Sequence, residues 1–171
     1  MNDKVLEFNS YNENFVLSNM CPCKIMHNDK LFYGVDHLYY YLLYYQHPAI
    51  QKQIAKCSGV CANFKAKRIG DDNAELIRDI TDTQKINLIK KCIRLKYQQN
   101  KHCLEYLLST DDAVLVELAF WGDTFWGCVP KNGKYEGENH TGKILMEIRD
   151  ELRENACNNE EASLPLPAPS K

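Results

Sequence analysis

The sequence contains no long hydrophobic run, no signal-like N-terminus and no excess of one charge. Its longest apolar stretch, residues 38–45, is far too short to cross a bilayer. Residues 1–10 lack the basic start and apolar centre of a signal peptide. The formal net charge of −2 argues against a protein that simply coats nucleic acid, because phosphate binding usually leaves a basic surface. We therefore expect a cytoplasmic protein that binds no membrane.

Cysteine is frequent, but it is not arranged as in a small disulfide-bonded domain. Cys21 and Cys23 are two positions apart, Cys57 and Cys61 are four apart, and the other cysteines are scattered. Cys21, Cys23 and His27 could supply zinc ligands, but structural zinc sites usually show two paired-ligand motifs with wider spacing. We favour reduced thiols that serve as small apolar side chains, and we predict no metal and no cofactor.

The composition indicates one globular domain. A chain of 171 residues with 44% hydrophobic and 26% charged residues has the size and balance of a single soluble fold. No internal repeat and no linker interrupts residues 1–154, which we assign to this domain. Residues 155–171 are polar and then rich in proline, which is the composition of a flexible tail.

The spacing of apolar residues predicts a mainly helical α+β fold. Residues 83–108 carry one apolar stripe at helical spacing, and Thr81 or Thr83 can cap its start. Short apolar segments predict a small antiparallel β element. The predicted helices are 36–55 with a break at Pro48, 83–108, and 141–153 with Thr141 as the cap. The predicted strands are 15–17, 24–26, 31–33 and 114–118, with a hairpin turn at 27–30.

Four clusters could carry chemistry, and the first is Gly34-Val35-Asp36-His37 at the start of an aromatic helix. A carboxylate in such a place could activate water, or stabilise the oxocarbenium-like cation that forms when a ribosyl C–N bond breaks. The alternative is that Asp36 only caps the helix, a role for which aspartate is favoured. His37 is likewise more often a capping or surface residue than a base.

The second and third clusters are aromatic. The tyrosines within residues 39–45 cannot all face one side of a helix, so a ring such as that of Tyr40 could reach a cleft and stack on a nucleobase; core packing is the alternative. Residues 121–127, after a strand that ends near Glu117, hold two tryptophans, two glycines and Asp123. Asp123 could polarise water or bind a ribose hydroxyl while the glycines let the backbone approach a ligand. A structural loop that plugs the core is the alternative.

The fourth cluster, residues 137–143, opens the last predicted helix. Free backbone N–H groups at a helix start can hold an anion, and Lys143 adds a positive charge. The segment is not a P-loop, because Ile144 stands where that motif requires serine or threonine. A cap from Thr141 explains most of this pattern without a ligand.

In their order, these clusters resemble the NADAR superfamily, the YbiA-like N-glycosidases. The family's Ser-Asn-Phe segment is similar to residues 18–20, and its Trp-Pro-Thr-Ser-Glu-His-Tyr-Phe-Gln motif is followed loosely by residues 32–40. An Ala-Lys-x-x-Gly segment is matched at 66–70, and residues 96–100 are similar to a Lys-Phe-x-Gln segment. The best match is Leu115-Val116-Glu117, then Asp123-x-x-Trp126-Gly127, then Asn139-x-x-Gly142-x-x-Leu145-Met146-x-x-Arg149. The likeness covers about residues 12–153.

The resemblance implies a mainly α-helical fold with small β elements and metal-independent cleavage of a ribosyl N-glycoside. Members of the family are described as acting on early riboflavin-pathway intermediates, or on ADP-ribose attached to guanine in nucleic acid. The second activity reverses a toxin's modification and is also found in phage counter-defence proteins. The sequence departs from the family pattern at Asp36, which replaces a glutamate, at Phe32, which replaces a tryptophan, and at Thr81, near a missing tryptophan.

From this resemblance we expect an N-glycosidase that removes ADP-ribose from guanine in DNA, in the host cytoplasm if the protein is phage-encoded. Its acidic pair would be Asp36 and Asp123, whereas Glu117 would be structural and Arg149 a buried ion-pair partner. The predicted ligand-binding residues are Ser18, Asn19, His37, Tyr40, Lys67, Arg68, Trp126, Gly127, Asn139 and Lys143.

Two alternatives stay open. The substrate could be a phosphorylated riboflavin-pathway intermediate, or the protein could bind ADP-ribose or a related nucleotide without cleaving it. All of these hypotheses have a nucleotide-like ligand as the partner. In the first hypothesis the ligand is ADP-ribose that is attached to DNA. No obligate protein partner is evident from the sequence.

Overall fold

The computed structural model describes the backbone of residues 4–163 and the side chains of residues 4–155. Within these residues the chain is mainly helical with three short pairs of strands, which confirms the α+β fold class. The helices are α1 (Val35–Leu43), α2 (Pro48–Ala55), α3 (Ala62–Asp71), α4 (Asp82–Gln99), α5 (Lys101–Leu108) and α6 (His140–Ser163). The strands are β1 (Val5–Phe8), β2 (Ile25–His27), β3 (Lys30–Phe32), β4 (Val114–Glu117), β5 (Val129–Lys131) and β6 (Lys134–Glu136). Short 3₁₀ turns lie at Phe15–Leu17 and Ala74–Ile77.

Helix α1 lies at the centre of the fold, packed against α2, α3 and α4. Its residues Val35 and Leu38 are fully buried. Helix α4 meets it with the face that the apolar spacing predicts, because Ile89, Ile93 and Tyr97 are all buried. Helix α6 packs against α4 and against β4, so the helical core and the strand that ends at the site share one hydrophobic cluster.

The starts of α2 and α4 follow sequence signals. Pro48 is the first residue of α2, where its missing N–H costs no helical hydrogen bond. The predicted helix 36–55 is therefore two helices. Thr81, rather than Thr83, caps α4: its hydroxyl accepts a hydrogen bond from the Gln84 N–H, and the Gln84 side chain accepts one from the Thr81 N–H.

The predicted helix 83–108 is divided at Asn100, whose backbone is extended with φ −128° and ψ 93°. The Asn100 side chain donates hydrogen bonds to the carbonyls of Lys24 and Lys96, which fixes the break. The restart changes the phase of the apolar face, so Leu107 rather than Leu108 is fully buried in α5.

Two of the three strand pairs are antiparallel, as predicted, and one is parallel. In the β2–β3 hairpin, Asn28 and Asp29 both have positive φ (47° and 59°), the conformation of a tight two-residue turn. This confirms the predicted turn at 27–30. β1 pairs with β4 in parallel, from Val5 beside Val114 to Phe8 beside Glu117, a pairing that the sequence did not indicate.

Other local predictions are wrong or incomplete. Residues 15–17, predicted as a strand, form a 3₁₀ turn, because Asn12 closes hydrogen-bonded turns onto the N–H groups of Asn14 and Phe15. Helix α3 was not predicted, since its buried residues are small or polar and leave no apolar stripe: Ala62, Asn63, Ala66 and Gly70. Strands β1, β5 and β6 were also not predicted.

Helix α6 begins at His140, so Thr141 lies in its first turn instead of before it. Arg149 is buried as expected, and its Nε lies 3.7 Å from the carboxylate of the exposed Asp150; it also donates hydrogen bonds to the Thr110 hydroxyl and the Ala113 carbonyl. The helix extends to Ser163, past the residue at which the sequence predicts a tail; the proline-rich residues 164–171 lie outside the described residues. No described helix is long and apolar enough to span a membrane.

Candidate active site

A cavity of about 410 Å³ opens beside the N-terminal end of α1. Four acidic residues contribute to its lining: Asp36, Asp71, Glu117 and Asp123. Lys67 is the only lysine or arginine that lines it in the described part of the chain. The rest of the wall is largely aromatic, formed by Tyr11, Tyr39, Tyr40, Phe64, Trp121 and Trp126. Convergent carboxyl groups in an aromatic cavity are typical of a ligand-binding or catalytic site.

Asp36 is held at the cavity by the way α1 begins. Gly34 precedes the helix with φ 155°, and a Cβ there would lie 2.1 Å from Nδ2 of Asn63. Asn63 accepts a hydrogen bond from the His37 N–H (2.9 Å) and donates one to the Met20 carbonyl (3.1 Å). It thereby joins α1, α3 and the loop before β2. Asp36 lies in the first turn of α1 and is not its N-cap, so capping does not explain this residue.

Glu117 reaches the same cavity from the end of β4. The Asn139 amide fixes its backbone, because Oδ1 accepts a hydrogen bond from the Glu117 N–H (3.0 Å) and Nδ2 donates one to the Leu115 carbonyl (2.8 Å). Two glycines permit this close packing. A Cβ at Gly127 would lie 2.7 Å from the carbonyl oxygen of Glu117, and a Cβ at Gly142 would lie 2.2 Å from the carbonyl oxygen of Leu115. Glu117, for which the sequence predicts a structural role, lines the cavity in the structure.

Burial raises the pKa of both inner carboxyl groups. The pKa of Asp36 rises to about 6, mainly through loss of water, while Lys67 lowers it and Asp71 raises it. The pKa of Glu117 rises to about 7, again mainly through burial, and the charges of Asp36 and Asp123 raise it further. Both groups therefore titrate near neutral pH, as acid–base pairs in active sites do.

Two buried polar atoms of the cavity lack a hydrogen-bond partner among the described residues: Oδ1 of Asn19 and Oγ1 of Thr141. The Thr141 hydroxyl lies close enough to Glu117 to lower the pKa of its carboxyl group, although the two groups do not reach full hydrogen-bond geometry. Buried polar atoms are nearly always paired in folded proteins. These two atoms are consequently available to a ligand.

Asp123 lines the cavity and also organises the loop between β4 and β5. Its Oδ1 accepts hydrogen bonds from the N–H groups of Phe125 (3.0 Å) and Trp126 (2.9 Å), which leaves Oδ2 for a ligand. Trp126 stands edge-on to Tyr39, with 6.2 Å between ring centroids. The loop is therefore a wall of the cavity and does not plug the core.

Tyr40, Lys67 and Asp71 form a polar edge of the cavity. The Tyr40 hydroxyl donates to Oδ1 of Asp71 (3.2 Å), and Lys67 Nζ donates to Oδ2 of the same carboxylate (2.6 Å). Gly70 lets Tyr40 pack against α3, since a Cβ there would lie 2.1 Å from the tyrosine ring. The Ala-Lys-x-x-Gly segment thus supplies both the cation of the cavity and the contact for Tyr40.

The cavity brings together more than half of the site residues that the sequence predicts. Those that line it are Asn19, Asp36, Tyr40, Lys67, Asp123, Trp126 and Gly127. Those that do not line it are Ser18, His37, Arg68, Asn139 and Lys143. The main lining residues that the sequence analysis did not assign to the ligand are Glu117 and Thr141 inside, and Tyr11, Phe64 and Trp121 at the outside.

His37 is buried away from the cavity with both ring nitrogens in use. Nδ1 accepts a hydrogen bond from the Tyr33 N–H (3.2 Å), so Nε2 is the protonated nitrogen that donates to the Ile54 carbonyl (2.9 Å). Burial lowers the pKa of this imidazole, which favours the neutral ring. Ser18 is also buried, with its hydroxyl accepting from the Met20 N–H. Both residues support the site from behind its wall.

Arg68 and Lys143 are exposed and lie outside the cavity lining. The Arg68 guanidinium stands 3.9 Å from the Asp72 carboxylate on the outer side of α3. A phosphate bound inside the cavity would therefore contact neither residue. Asn139 is buried, and its side-chain amide forms hydrogen bonds with the backbone of β4. This structural role accounts for its presence in the motif.

The cysteines show no metal-binding arrangement within the described residues. Cys21 and Cys23 are free thiols, and no group of three or more His, Cys, Asp or Glu in that part of the chain is placed to hold a metal ion. The zinc alternative built on these cysteines and His27 therefore has no geometric support in the described residues. Most of the described cysteines are buried, as expected of small apolar side chains.

Comparison with known proteins decides the family. The family model described as the NADAR domain matches residues 7–153, which is most of the chain. The chain belongs to the NADAR domain family. The cavity, the Asn139 clamp on β4 and the Gly34–Asn63 contact all lie within the residues of this NADAR domain that the family model matches.

Relatives of this NADAR domain include proteins of a virus and of bacteria. It is 34% identical over 109 residues to N-glycosidase R617 of Acanthamoeba polyphaga mimivirus, which covers 58% of this chain and 61% of that protein. It is 27% identical over 157 residues to N-glycosidase YbiA of Escherichia coli strain K12, covering 89% and 91%. It is 27% identical over 140 residues to riboflavin biosynthesis protein VVA0006 of Vibrio vulnificus, covering 82% of this chain but 36% of that protein.

The NMR structure of Escherichia coli YbiA has the same fold as this NADAR domain. The TM-score is 0.77 at 25% sequence identity, and the match covers 92% of this chain and 89% of that one. The fold that the sequence resemblance implies is thereby confirmed.

Proposed function

We propose that this NADAR domain is an N-glycosidase that hydrolyses the bond between a ribosyl C1′ and a base nitrogen. The observation that carries the proposal is the pair of carboxyl groups, Asp36 and Glu117, in one aromatic cavity, with pKa values raised to about 6 and about 7. The names of two relatives, N-glycosidase R617 and N-glycosidase YbiA, support the same class of reaction.

The two carboxyl groups divide the chemistry. In the proposed mechanism Asp36 is ionised and Glu117, whose pKa the charge of Asp36 raises, holds a proton. As the C1′–N bond breaks, its electron pair leaves with the base nitrogen, and the Asp36 carboxylate stabilises the positive charge on the ribosyl ring. Glu117 donates its proton to the departing nitrogen. Water then adds its oxygen to C1′ and returns a proton to Glu117, so the products are a free ribosyl hydroxyl and the protonated base.

Other polar groups of the cavity bind the substrate. Asp123 has Oδ1 engaged with its own loop and offers Oδ2 to a ribose hydroxyl. Asn19 and Thr141 each present a buried oxygen that has no partner within the described part of the chain. Lys67, partly neutralised by Asp71, supplies the positive charge for a phosphate. In this proposal Asp123 binds and orients the sugar, and the acidic pair is Asp36 and Glu117 rather than Asp36 and Asp123.

The substrate that we propose is ADP-ribose attached to guanine in DNA, so that the reaction reverses a toxin's modification, as a phage counter-defence enzyme does. The sequence resemblance supports this choice. It is also supported by the mouth of the cavity, where Phe64 and Trp121 are exposed and leave room for a base that stays attached to a polymer. The products are free ADP-ribose and unmodified DNA.

A phosphorylated intermediate of the early riboflavin pathway is the second candidate substrate. The Vibrio vulnificus relative is named a riboflavin biosynthesis protein. In addition, Lys67 is the single cation that lines the cavity in the described residues, and one ammonium group matches one phosphate more closely than a pyrophosphate.

The test is incubation of the full chain with guanine-ADP-ribosylated single-stranded DNA, with free ADP-ribose measured by mass spectrometry. We expect release that Asp36→Asn and Glu117→Gln each slow by at least about 100-fold, the lower end of the usual acid–base contribution. Glu105→Gln is the matched control, because this carboxylate is exposed on α5 and lies outside the cavity. It should keep the wild-type rate.

Two other outcomes would change the conclusion. Hydrolysis of a ribosylated riboflavin intermediate, but not of modified DNA, would establish the second candidate. A protein that binds ADP-ribose with a rise in Tm, and leaves both substrates intact after long incubation, would be a binding module, and the N-glycosidase proposal would be wrong.

A further inference from the structure

Three aromatic side chains stand at the mouth of the cavity with more than half of their surface exposed. Tyr11 is 80% exposed, Trp121 58% and Phe64 54%, and all three line the cavity. They come from three separate segments: the loop after β1, the loop after β4, and α3. We name this set the aromatic collar. A cluster of exposed aromatic rings around a cavity marks a binding surface, because soluble proteins rarely leave such groups in water without a partner.

The aromatic collar is separate from the inner aromatic wall. Tyr39 is buried and Trp126 is half-buried, and their rings meet edge-on beside Asp36 and Glu117. A sugar and base that occupy the inner cavity contact this wall and leave the outer faces of the aromatic collar in water. The collar therefore fits a ligand that continues out of the cavity on more than one side.

We propose that the aromatic collar binds the unpaired bases that flank the target nucleotide in a single-stranded nucleic acid. The inference rests on the proposed function, because it assumes that the nucleotide in the cavity is part of a chain. An aromatic face stacks on any base, so this site binds a strand without reading its sequence. Bases in a duplex are already stacked on one another, so the strand must be single.

Helix α3 offers a phosphate contact beside the collar. Arg68 lies one helical turn after Phe64 and therefore on the same side of α3. Its side chain is 85% exposed, and its Nε is 3.9 Å from the Asp72 carboxylate, a separation too long for a hydrogen bond. The guanidinium can thus bind the backbone phosphate between two stacked bases. Arg68 lies outside the cavity and would not contact a small substrate. In this proposal it binds a phosphate of the strand.

The overall charge determines which force carries the affinity. The chain has a formal net charge of −2, and Arg68 is the one cation assigned to the strand in this proposal. Few counterions are therefore released on binding, and the affinity should fall only weakly with salt. Stacking on Tyr11, Phe64 and Trp121 supplies most of it.

The direct test is binding of an unmodified oligothymidylate of about 12 nucleotides, which involves no chemistry. We expect it to quench tryptophan fluorescence and to raise the anisotropy of a labelled strand. Trp121→Ala should weaken Kd by about tenfold, since one stacking partner is lost, and Trp121→Phe should stay within about twofold. Tyr45→Ala is the matched control: Tyr45 is 63% exposed and borders a different, apolar groove.

Several results would overturn the proposal. These are equal affinity for the duplex and the single strand, equal weakening by Tyr45→Ala, or a Kd that Trp121→Ala leaves unchanged. A concentration-dependent dimer in sedimentation that Trp121→Ala abolishes would make the aromatic collar a self-association surface instead.

A parallel assay separates this inference from the proposed function. Free ADP-ribosylated guanosine, which has no flanking bases, is offered beside the modified strand. Hydrolysis of both at the same kcat/KM, without binding of oligothymidylate, would overturn the aromatic collar and leave the N-glycosidase proposal standing. Binding of oligothymidylate without hydrolysis of either substrate would support the collar and overturn the N-glycosidase proposal.

Discussion

Asn139 fixes Glu117 to the start of α6 with both ends of one amide: Oδ1 accepts from the Glu117 N–H, and Nδ2 donates to the Leu115 carbonyl. Asn139 has φ 53°, a left-handed conformation that asparagine tolerates better than most residues. The amide is buried, and it takes the place of a neighbouring strand along the last residues of β4. The position of the Glu117 carboxyl group therefore depends on a side chain that does not line the cavity.

Replacing Asn139 should cost more stability than replacing an asparagine of similar backbone shape. Asn139→Ala leaves a buried N–H and a buried carbonyl without partners, and we expect the free energy of unfolding to fall by about 3 kcal/mol. Asn132 also has a positive φ (50°), but it lies in the exposed β5–β6 turn. Asn132→Ala should cost no more than about 1 kcal/mol. Urea denaturation measures the free energy of unfolding of both variants. Equal losses would contradict the role of the Asn139 amide in holding β4.

Gly34 should tolerate alanine far less well than Gly59, although both have positive φ (155° and 71°). A Cβ at Gly34 would lie 2.1 Å from Asn63, whereas one at Gly59 would meet nothing within 4 Å. We expect Gly59→Ala to cost about 1 kcal/mol for its backbone alone. Gly34→Ala should cost about 3 kcal/mol, because the clash adds to the strain, and it should slow hydrolysis by moving Asp36. Thermal and urea denaturation compare the two; similar losses would show that Asn63 simply moves aside.

The stability of the protein should respond to pH through Glu117. Burial raises the pKa of this carboxyl group from 4.5 to about 7, so between these values the folded state holds a proton that the unfolded state has lost. Stability therefore falls as pH rises through this window, by about 3 kcal/mol for this group. Glu117→Gln keeps a neutral side chain and removes the Glu117 part of the fall, whereas the part that comes from the raised pKa of Asp36 remains. Relative to wild type, Glu117→Gln should therefore gain stability from pH 5 to pH 8.

The control for that measurement is Glu105→Gln, which removes the same charge from an exposed side chain on α5. Its difference from wild type should stay constant between pH 5 and pH 8, because its carboxylate remains in water in both states. Urea midpoints at several pH values give the comparison. If Glu117→Gln and Glu105→Gln behave alike, the Glu117 carboxyl group is not buried as described.

Hydrolysis should have a bell-shaped dependence on pH. Activity requires ionised Asp36 and protonated Glu117, whose pKa values are about 6 and about 7, so kcat/KM should fall by about tenfold by pH 5 and again by pH 8. Because the two groups interact, the limbs report the pair. Asp36→Asn should remove the acidic limb and Glu117→Gln the alkaline limb, each at a lower maximum rate. A profile flat from pH 5 to pH 8 would contradict the assignment of both carboxyl groups.

Thr141→Val should separate stability from function. The Thr141 hydroxyl is buried and has no hydrogen-bond partner among the residues that the structure describes, so an isosteric methyl group should leave stability unchanged or raise it by about 1 kcal/mol. If the hydroxyl binds substrate, kcat/KM should nevertheless fall by about tenfold, the cost of one hydrogen bond in a closed site. Loss of the hydroxyl should also move the alkaline limb to higher pH, because Thr141 lowers the pKa of Glu117. A variant that is both stable and fully active would show that the hydroxyl has no role.

The sequence was informative where a residue type has a specific local use. Pro48 starts a helix, Thr81 with Gln84 caps one, and the turn at Asn28 and Asp29 closes a hairpin, because each of these depends only on neighbouring residues. The long apolar stripe placed Ile89 and Ile93 in the core for the same reason. Helix α3 escaped prediction since Ala66 and Gly70 bury backbone and small side chains against α1, which leaves no hydrophobic pattern.

The site was only partly predictable, because its residues are brought together by contacts distant in sequence. Asp36 and Asp123 carried visible patterns, and both line the cavity. Glu117 looked structural because it ends a buried strand, and only the parallel pairing with β1 and the Asn139 amide show where that strand ends in space. Tyr11 and Phe64 had no local signal at all; each is a single exposed ring whose meaning comes from the cavity beside it.

The parallel pairing of β1 with β4 has a consequence for biosynthesis. β1 is made before α1 to α5, whereas its partner, residues 114–117, leaves the ribosome only after these helices have been synthesised. Ser10 and Tyr11 of the cavity follow β1 directly, and Thr141 must arrive later still. The helices can form while translation continues, but the cavity closes only after nearly the whole domain has emerged. A chain released early would thus hold several native helices and Asp36, yet have no site in which to use it.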